Sequence, residues 1–403
     1  MDFAQPIDED FAAELRTFLD QHFSDDMRAR RLAWAFDHDF HERFSQWQLE
    51  HLSGSGDGQS NAFVREVDRA GVELRSTSTI GLVASTIEAV GTDEQREEVV
   101  PRLVDGRYIA VLGYTEPDSG SDVAAARTRA VRDGDDWVID GQKMYTSNAE
   151  IGTHVFLLVR TNTQVPKHQG LTMFLVPLDA PGVEIREVPT LRGHATYMTY
   201  YSGVRVPDSS RIGDVDGGWR VMRVALDLEH GAGRRHSPAV VTTARVGSMV
   251  TKYQRWGRLE ALFRRTVRWA SDVTKLDGTA LLEDPLVRRR LALAAIRSEV
   301  ARLLDGRNDE RSRDAGVGNG TKLYASEAYV RIASDLLDLS GPDGLVAPGG
   351  GEPSAADGWL EYSYRDSQVS TIAGGCSEVQ RDIIAERRLG LPRLRPGGKV
   401  ESP

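Results

Sequence analysis

Three things are scarce in these 403 residues: cysteine, positive charge and long apolar runs. The lone cysteine, Cys376, excludes an internal disulfide framework and points to a reducing compartment, the cytoplasm. Lys and Arg number 50 against 60 Asp and Glu, a formal balance of −10 that argues against the broad basic face nucleic-acid binding needs. No apolar run approaches the roughly 20 residues a membrane span requires. The acidic start, MDFAQPIDEDF, carries no apolar signal core. HExxH, paired CxxC and GxSxG are missing too, so zinc hydrolysis and a serine-nucleophile elbow have no local support. His230 and His236 flank a glycine-rich stretch at a spacing that puts them on different helix faces, and no metal site is expected. The expectation is a soluble, cytoplasmic chain of two or three packed units, with neither nucleic acid nor membrane as partner.

What is there changes period twice. The first hundred residues read as helices. Phe11, Leu15, Phe18 and Leu19 recur at near-helical spacing, TIGLVASTIEAV reads as a buried helix before Gly91, and Thr92 and Gln95 have capping-box spacing. LSGSGDGQS, with Gly54, Gly56 and Gly58, looks like a nucleotide loop, but no strand precedes it and it reads as a flexible loop. From about residue 107, short runs bounded by Gly or Pro take over. TRAVRDGDDWVIDG outlines a hairpin around Asp133–Gly134, and HVFLLVRT, GLTMFLVPL, GVEIREVP and TYYSGVRVP follow as strands. The order is not strand–helix–strand, which speaks against a Rossmann unit.

Helical period returns after DVDGGW. WRVMRVALDLEHGAG, one long segment from Thr242 to Leu276, DPLVRRRLALAAIRSEVARLLDG and GTKLYASEAYVRIASDLLDLSG read as helices, and GVGNGTK as a connector between two of them. The last helix, SEVQRDIIAERRLG, has Ser377 and Gln380 at capping-box spacing. The fold class is α+β: an N-terminal helical domain (1–106), a middle β-domain (107–213) and a C-terminal helical domain (214–403).

The segment opening the β-domain, GYTEPDSGSD at 113–122, packs three acids, two serines, a threonine and a proline into ten positions. Those residues favour a surface turn. The same hydroxyls and glycines can also form a cradle for a polar or anionic ligand.

Taken with DGDDWVIDGQKMYTSNA, YYSGVRVP, GGWRVM, LDLEHG and the terminal GGCSEVQRDIIAERRLGLPR, it resembles the acyl-CoA dehydrogenase family over nearly the whole chain. Its look is that of the branch found in actinobacterial lipid and steroid catabolism. The resemblance implies FAD as cofactor, an acyl-CoA substrate, an electron-transfer flavoprotein as acceptor, and a homotetramer or a heterotetramer with a related subunit. It also implies that GYTEPDSGSD is a cradle. Leu112, Tyr114 and Thr115 would meet the flavin ring, and Gly120 and Ser121 the phosphates and the thioester. Tyr145 and Ser147, in YTS, would pack on the flavin face and bond near its reactive nitrogen. The terminal loop with Gly375, Cys376 and Glu378 would help hold FAD, and the turn with Gly341 and Gly344 would reach a neighbouring subunit's FAD. Asp227, His230, Ser121 and Gly374 fall at substrate-binding positions.

Desaturation needs a base for the α-proton while a β-hydride passes to flavin N5. Many family members carry a glutamate where this chain has Gly374, which cannot serve. LDLEHG instead offers Glu229, at the place another branch uses, although a glutamate on a helix is by default a solvated one. His230 stands where an arginine often follows, with Arg234 and Arg235 nearby. Other departures are Pro342 within the glycine-rich turn, no match to the family's arginine–aromatic–glycine segment, and no GW…P…GG loop between the early helices. Two alternatives stay open: an FAD-binding subunit of a heteromeric dehydrogenase, or a same-fold flavin oxidase or monooxygenase.

Overall fold

The computed structural model describes residues 7–29, 36–52, 57–72, 74–229, 237–306, 315–348 and 354–392. Its chain divides into two compact units, one made of residues 1–190, 194–229 and 233–251, the other of 191–193, 230–232 and 252–403.

The first unit opens with helices α1 (Glu9–His22), α2 (Asp25–Ala29), α3 (His38–His51), α4 (Asp57–Ala70), α5 (Thr77–Val90) and α6 (Asp93–Val104). Asp8 and Asp37 cap α1 and α3 by accepting from Phe11 N and Phe40 N. Thr92 and Gln95 form the expected capping box at the start of α6. The presumed loop LSGSGDGQS is corrected in part. Positions 53–56 lie outside the described residues, but Asp57–Ser60 are the first turn of α4. There Gly58 O accepts from Asp8 N at 3.2 Å, a close approach of backbones that explains glycine at this place.

Strands β1 (Ala110–Gly113), β2 (Arg129–Asp133), β3 (Asp136–Lys143), β4 (His154–Arg160), β5 (Leu171–Pro177), β6 (Val183–Val188), β7 (Thr196–Pro207) and β8 (Arg211–Ile212) build one sheet. Its order is β6-β7-β3-β2-β4-β5-β8, with β1 parallel to β4 off that path. The β2–β3 hairpin turns on Gly134 and Asp135, and Gly134 takes φ +65° at the first central position, where glycine is unstrained. Strand β4 is buried on both faces because its side chains alternate. Phe156 and Leu158 enter a core with Val83 and Ile87 of α5, while Val155, Leu157 and Val159 enter a second core with Trp137 and Phe174.

Helices α7 (Gly218–Glu229) and α8 (Pro238–Lys252) follow. Val221 and Met222 of α7 share the first core with Ile80, Val83 and Ile87, and Leu112 and Tyr114 pack against that core.

The second unit holds α9 (Arg258–Asp272), α10 (Pro285–Gly306), α11 (Ala315–Leu337), α12 (Trp359–Ser367) and α13 (Ser377–Ile383). The long helix expected from Thr242 to Leu276 is two helices interrupted by a π-helical turn, Tyr253–Gly257, and it stops at Asp272. That turn re-phases the apolar stripe, so Val246 and Met249 serve one core and Leu259 and Leu262 another. GVGNGTK is not a connector; it lies inside α11. Asn319 and Thr321 are buried there, Thr321 donating to Leu304 O at 3.2 Å, and these ties override the poor helix propensity of the glycines. Among the described residues no helix is long and apolar enough to cross a membrane, and no group of metal-ligating side chains forms.

Candidate active site

The site is built from β1 outward. Beyond Gly113 the chain leaves the sheet as Tyr114–Thr115, and Thr115 O accepts from Met144 N at 2.9 Å, joining the end of β1 to the end of β3. Glu116 and Ser119 then exchange backbone hydrogen bonds of 2.9 and 3.1 Å, closing a tight loop over Pro117 and Asp118. The Glu116 carboxylate turns inward. It accepts from Lys143 Nζ at 2.7 Å, Thr128 N at 2.9 Å and Arg127 N at 2.7 Å, and Lys143 also donates to Tyr114 O at 3.2 Å. Burial alone would raise the Glu116 pKa, but the Lys143 charge and these hydrogen bonds hold it below the usual carboxylate range. Burial brings Lys143 down to about 8, against the opposite pull of Glu116.

This anchor fixes a surface above it. The Ser119 hydroxyl is buried and has no hydrogen-bond partner. Gly120 and Ser121 are exposed, and a Cβ at Gly120 would meet only open space. After β3 the chain enters a loop in which Tyr145 (φ +58°) and Asn148 (φ +65°) both adopt left-handed backbone, rare for residues with side chains. Tyr145 is 61 % exposed, a large ring left uncovered. Thr146 is buried, its N–H bonding Tyr197 O at 3.0 Å, and Ser147 Oγ lies 3.5 Å from Thr196 Oγ1. Arg75 clamps the loop by donating to Asn148 Oδ1 at 3.0 and 3.1 Å and pairing with Glu150. Strained backbone held by such ties is a frequent mark of ligand sites.

Leu112, Tyr114, Thr115, Gly120, Ser121, Tyr145 and Ser147 therefore gather around one anchored junction of the first unit. Glu229 is the last residue of α7, and Asp227 lies in its last turn. The side chains of both, and all of His230, Arg234, Arg235 and His236, lie outside the described residues.

The second unit carries the remaining expected positions. Gly341 and Gly344 sit in a 3-10 turn, Gly341–Leu345, where Pro342 takes an early position that needs no N–H donor. Gly374 (φ +67°) and Gly375 (φ +87°) are left-handed in succession. The capping box expected of Ser377 and Gln380 is absent. Cys376 is the N-cap of α13 but makes no side-chain cap hydrogen bond to the helix, and Ser377 is its first helical residue. Gln380 is occupied elsewhere: its Nε2 lies 3.2 Å from Gly374 O and 3.3 Å from Gly375 O, and its Oε1 accepts from Asn319. The pKa of exposed Glu378 is lowered by its own backbone N–H and by Cys376.

Sequence reasoning passed over Glu116, Ser119, Lys143 and Arg75. A signal existed for Lys143. It shares strand parity with Trp137 and Ile139, which places it on the inner face, and a lysine there requires a carboxylate. Nothing in the sequence around Arg75 distinguishes it from the other arginines.

A helical–β–helical fold with a hydroxyl- and glycine-lined cradle at the edge of its β-domain defines a flavin-enzyme architecture. Residues 111–204 match the middle domain, and residues 238–389 the C-terminal domain, of acyl-CoA dehydrogenases. The acyl-CoA dehydrogenase FadE26 of Mycobacterium tuberculosis is 36 % identical over 330 residues, 78 % of this chain and 76 % of that one. Among solved structures, the ChsE4–ChsE5 complex from Mycobacterium tuberculosis aligns at TM-score 0.80 and 29 % identity, covering 98 % of this chain and 100 % of that one. The Tcur3481–Tcur3483 steroid ACAD aligns at TM-score 0.78 and 31 % identity, with 98 % and 100 % covered. The chain belongs to the acyl-CoA dehydrogenase family.

The family's enzymes are FAD-dependent oxidoreductases. The cradle fits that cofactor: a buried hydroxyl without a partner at Ser119, room beside the backbone at Gly120, and an uncovered aromatic ring at Tyr145.

Proposed function

We propose that the protein desaturates a CoA thioester between Cα and Cβ, with Glu229 as the base that takes the α-proton. The observation carrying this reading is the course of α7. It packs through Val221 and Met222 into the same core as Leu112 and Tyr114, and it ends at Glu229, so a carboxylate closes a helix that shares its footing with the cradle. Thr115, Gly120, Ser121, Tyr145 and Ser147, joined by Ser119, would hold FAD in the first unit. Gly375, Cys376 and Glu378 keep their proposed role toward FAD, and Gly341 and Gly344 theirs toward a neighbouring subunit's FAD. FAD, when bound, supplies the acceptor for the β-hydride. Ser121, Asp227, His230 and Gly374 are assigned to the thioester. An ordinary glutamate, with a pKa of about 4.3, is a poor base; exclusion of water by a bound thioester raises it toward the working range.

The acyl group is proposed to be steroid-derived, supported by the likeness to the Tcur3481–Tcur3483 steroid ACAD. An electron-transfer flavoprotein is the proposed acceptor, and the cytoplasm the proposed location. The test is anaerobic titration of the reconstituted enzyme with straight-chain and steroid CoA thioesters, in wild type and Glu229→Gln. Flavin bleaching by a steroid thioester in the wild type alone is expected. Bleaching of Glu229→Gln at the wild-type rate sinks the assignment of the base.

A second reading has specific support. ChsE4–ChsE5 and Tcur3481–Tcur3483 are both two-component proteins. An active subunit that needs a related partner is therefore proposed beside a homotetramer. Co-expression with the products of neighbouring genes, followed by light scattering and flavin content, separates the two.

A further inference from the structure

The turn between α12 and α13 has no side chain at either of its two left-handed glycines, so Gly374 and Gly375 can act only through their backbone. Glycine adopts both signs of φ at similar cost, and a free turn of this kind samples several arrangements of its peptide planes. Here the carbonyls are claimed. Lys322 Nζ donates to Gly375 O at 2.6 Å and to Ser370 O at 3.2 Å. Gln380 Nε2 reaches Gly374 O and Gly375 O, and Asn319 fixes the way that amide faces. Asn319 and Gln380 are each 2 % exposed, so this amide pair has no water to turn toward.

The segment leading into the turn is pinned as well. Asp366, 5 % exposed, accepts from Arg192 Nε at 2.6 Å and from the Tyr329 hydroxyl at 3.1 Å. Arg258 lies 4.1 Å above the Tyr329 ring and donates to Ser370 Oγ at 2.9 Å. One end of the 370–376 segment is therefore locked by buried charge, and Lys322 ties the other end to it by donating to both Gly375 O and Ser370 O.

We propose that Lys322 is a positioning residue of the active site: its ammonium, on the carbonyls of Gly375 and Ser370, selects one orientation of the Gly374–Gly375 peptide planes and so sets the backbone that faces the ligand. This rests on reading Gly374–Glu378 as a loop that meets the thioester and FAD. A charged donor is roughly twice as strong toward a carbonyl as a neutral one, which suits a turn that has no packing of its own. Lysine suits it better than arginine, because a point charge can serve two carbonyls that are not arranged as a fork.

The test compares Lys322→Met, Lys322→Arg and wild type as FAD-loaded enzyme. Amide hydrogen exchange across residues 373–377 reads the positioning directly and needs no substrate. Lys322→Met should exchange there about tenfold faster or more, with Lys322→Arg between Lys322→Met and wild type and melting temperatures alike. Single-turnover flavin reduction at saturating thioester should fall about 10–100-fold in Lys322→Met with little change in half-saturation, the size that a misplacement of about 1 Å produces. Unchanged exchange in Lys322→Met overturns the proposal. So does a rate loss that comes with a lower melting temperature and is not restored by arginine. If no thioester reduces even the wild type, the function reading fails while the exchange result still decides the role of Lys322.

Discussion

Lys143 Nζ lies 2.7 Å from Glu116 Oε1, with the lysine side chain at 0 % and the glutamate at 6 % exposure. A buried pair of this kind contributes little to stability overall, but breaking it leaves one charge stranded. Lys143→Met should therefore lower unfolding free energy by about 3–5 kcal/mol in urea titrations. Lys143→Met with Glu116→Gln should lower it less, since no charge is left stranded, and the single carbonyl oxygen of glutamine can still accept from one of the two backbone donors, Arg127 N or Thr128 N. A double variant no more stable than the single would show that the pair does not anchor the loop.

Ser119 supplies a sharper test of the cradle. Its hydroxyl is buried without a partner, and an orphaned polar group of this kind costs roughly 1–3 kcal/mol. Ser119→Ala should leave the apoprotein as stable as wild type or more so, while weakening FAD binding several-fold. Tyr145→Ala should also spare the fold, because the ring is uncovered, and weaken FAD binding. Equal FAD dissociation constants in fluorescence titration would remove both residues from the site.

The architecture was legible because its signals are local. Gly134 marks the β2–β3 hairpin, and Thr92 with Gln95 marks the start of α6, whatever the rest of the chain does. Among the supports of the site only Lys143 was legible, from its inner-face strand position; the others depend on residues distant in sequence. Arg75 meets Asn148 73 positions away, and Asn319 meets Gln380 61 positions away. Gln380 shows the limit most clearly. Its spacing from Ser377 fits a capping box, but the carboxamide is taken by the glycine turn, and a tertiary bond displaced the local one.

Acid should destabilise the protein through two histidines before its carboxylates titrate. Burial lowers His41 and His154 to about 4 from the ordinary histidine value of about 6.5. The unfolded chain thus takes up these protons first, and the stability that rests on the neutral rings is complete above pH 6.5 and lost as pH falls toward 4. His154 bonds Thr153 Oγ1 at 2.9 Å and lies 4.1 Å from the Tyr108 ring, so protonating it disturbs the start of β4. Melting temperature should fall between pH 6.5 and 4.5, and the fall should shrink in a His41→Gln, His154→Gln double variant. An identical slope in that variant would assign the acid sensitivity to other groups.

A glutamate at Gly374 tests the proposed base, at a known penalty. A Cβ there would meet nothing within 4 Å, so a side chain has room, but φ is +67°. An L-residue in that conformation is strained by roughly 1–2 kcal/mol, and asparagine by less than most. Gly374→Ala should therefore melt lower than Gly374→Asn, and wild type highest, in thermal unfolding of the FAD-loaded protein. Glu229→Gln should reduce its flavin about 10²–10⁴-fold more slowly than wild type, the usual loss when a general base is removed. In Glu229→Gly with Gly374→Glu the carboxylate returns on a strained turn whose carbonyls are held by Lys322 and Gln380. Part of the lost rate should come back, and less than all of it, because strain and the fixed peptide planes limit where that carboxylate can reach. A double variant as slow as Glu229→Gln, with thermal unfolding matching Gly374→Ala, would mean that the two positions do not address one α-carbon. If Gly374→Ala itself melts with wild type, the turn is not left-handed, and strain no longer explains a shortfall in the double variant.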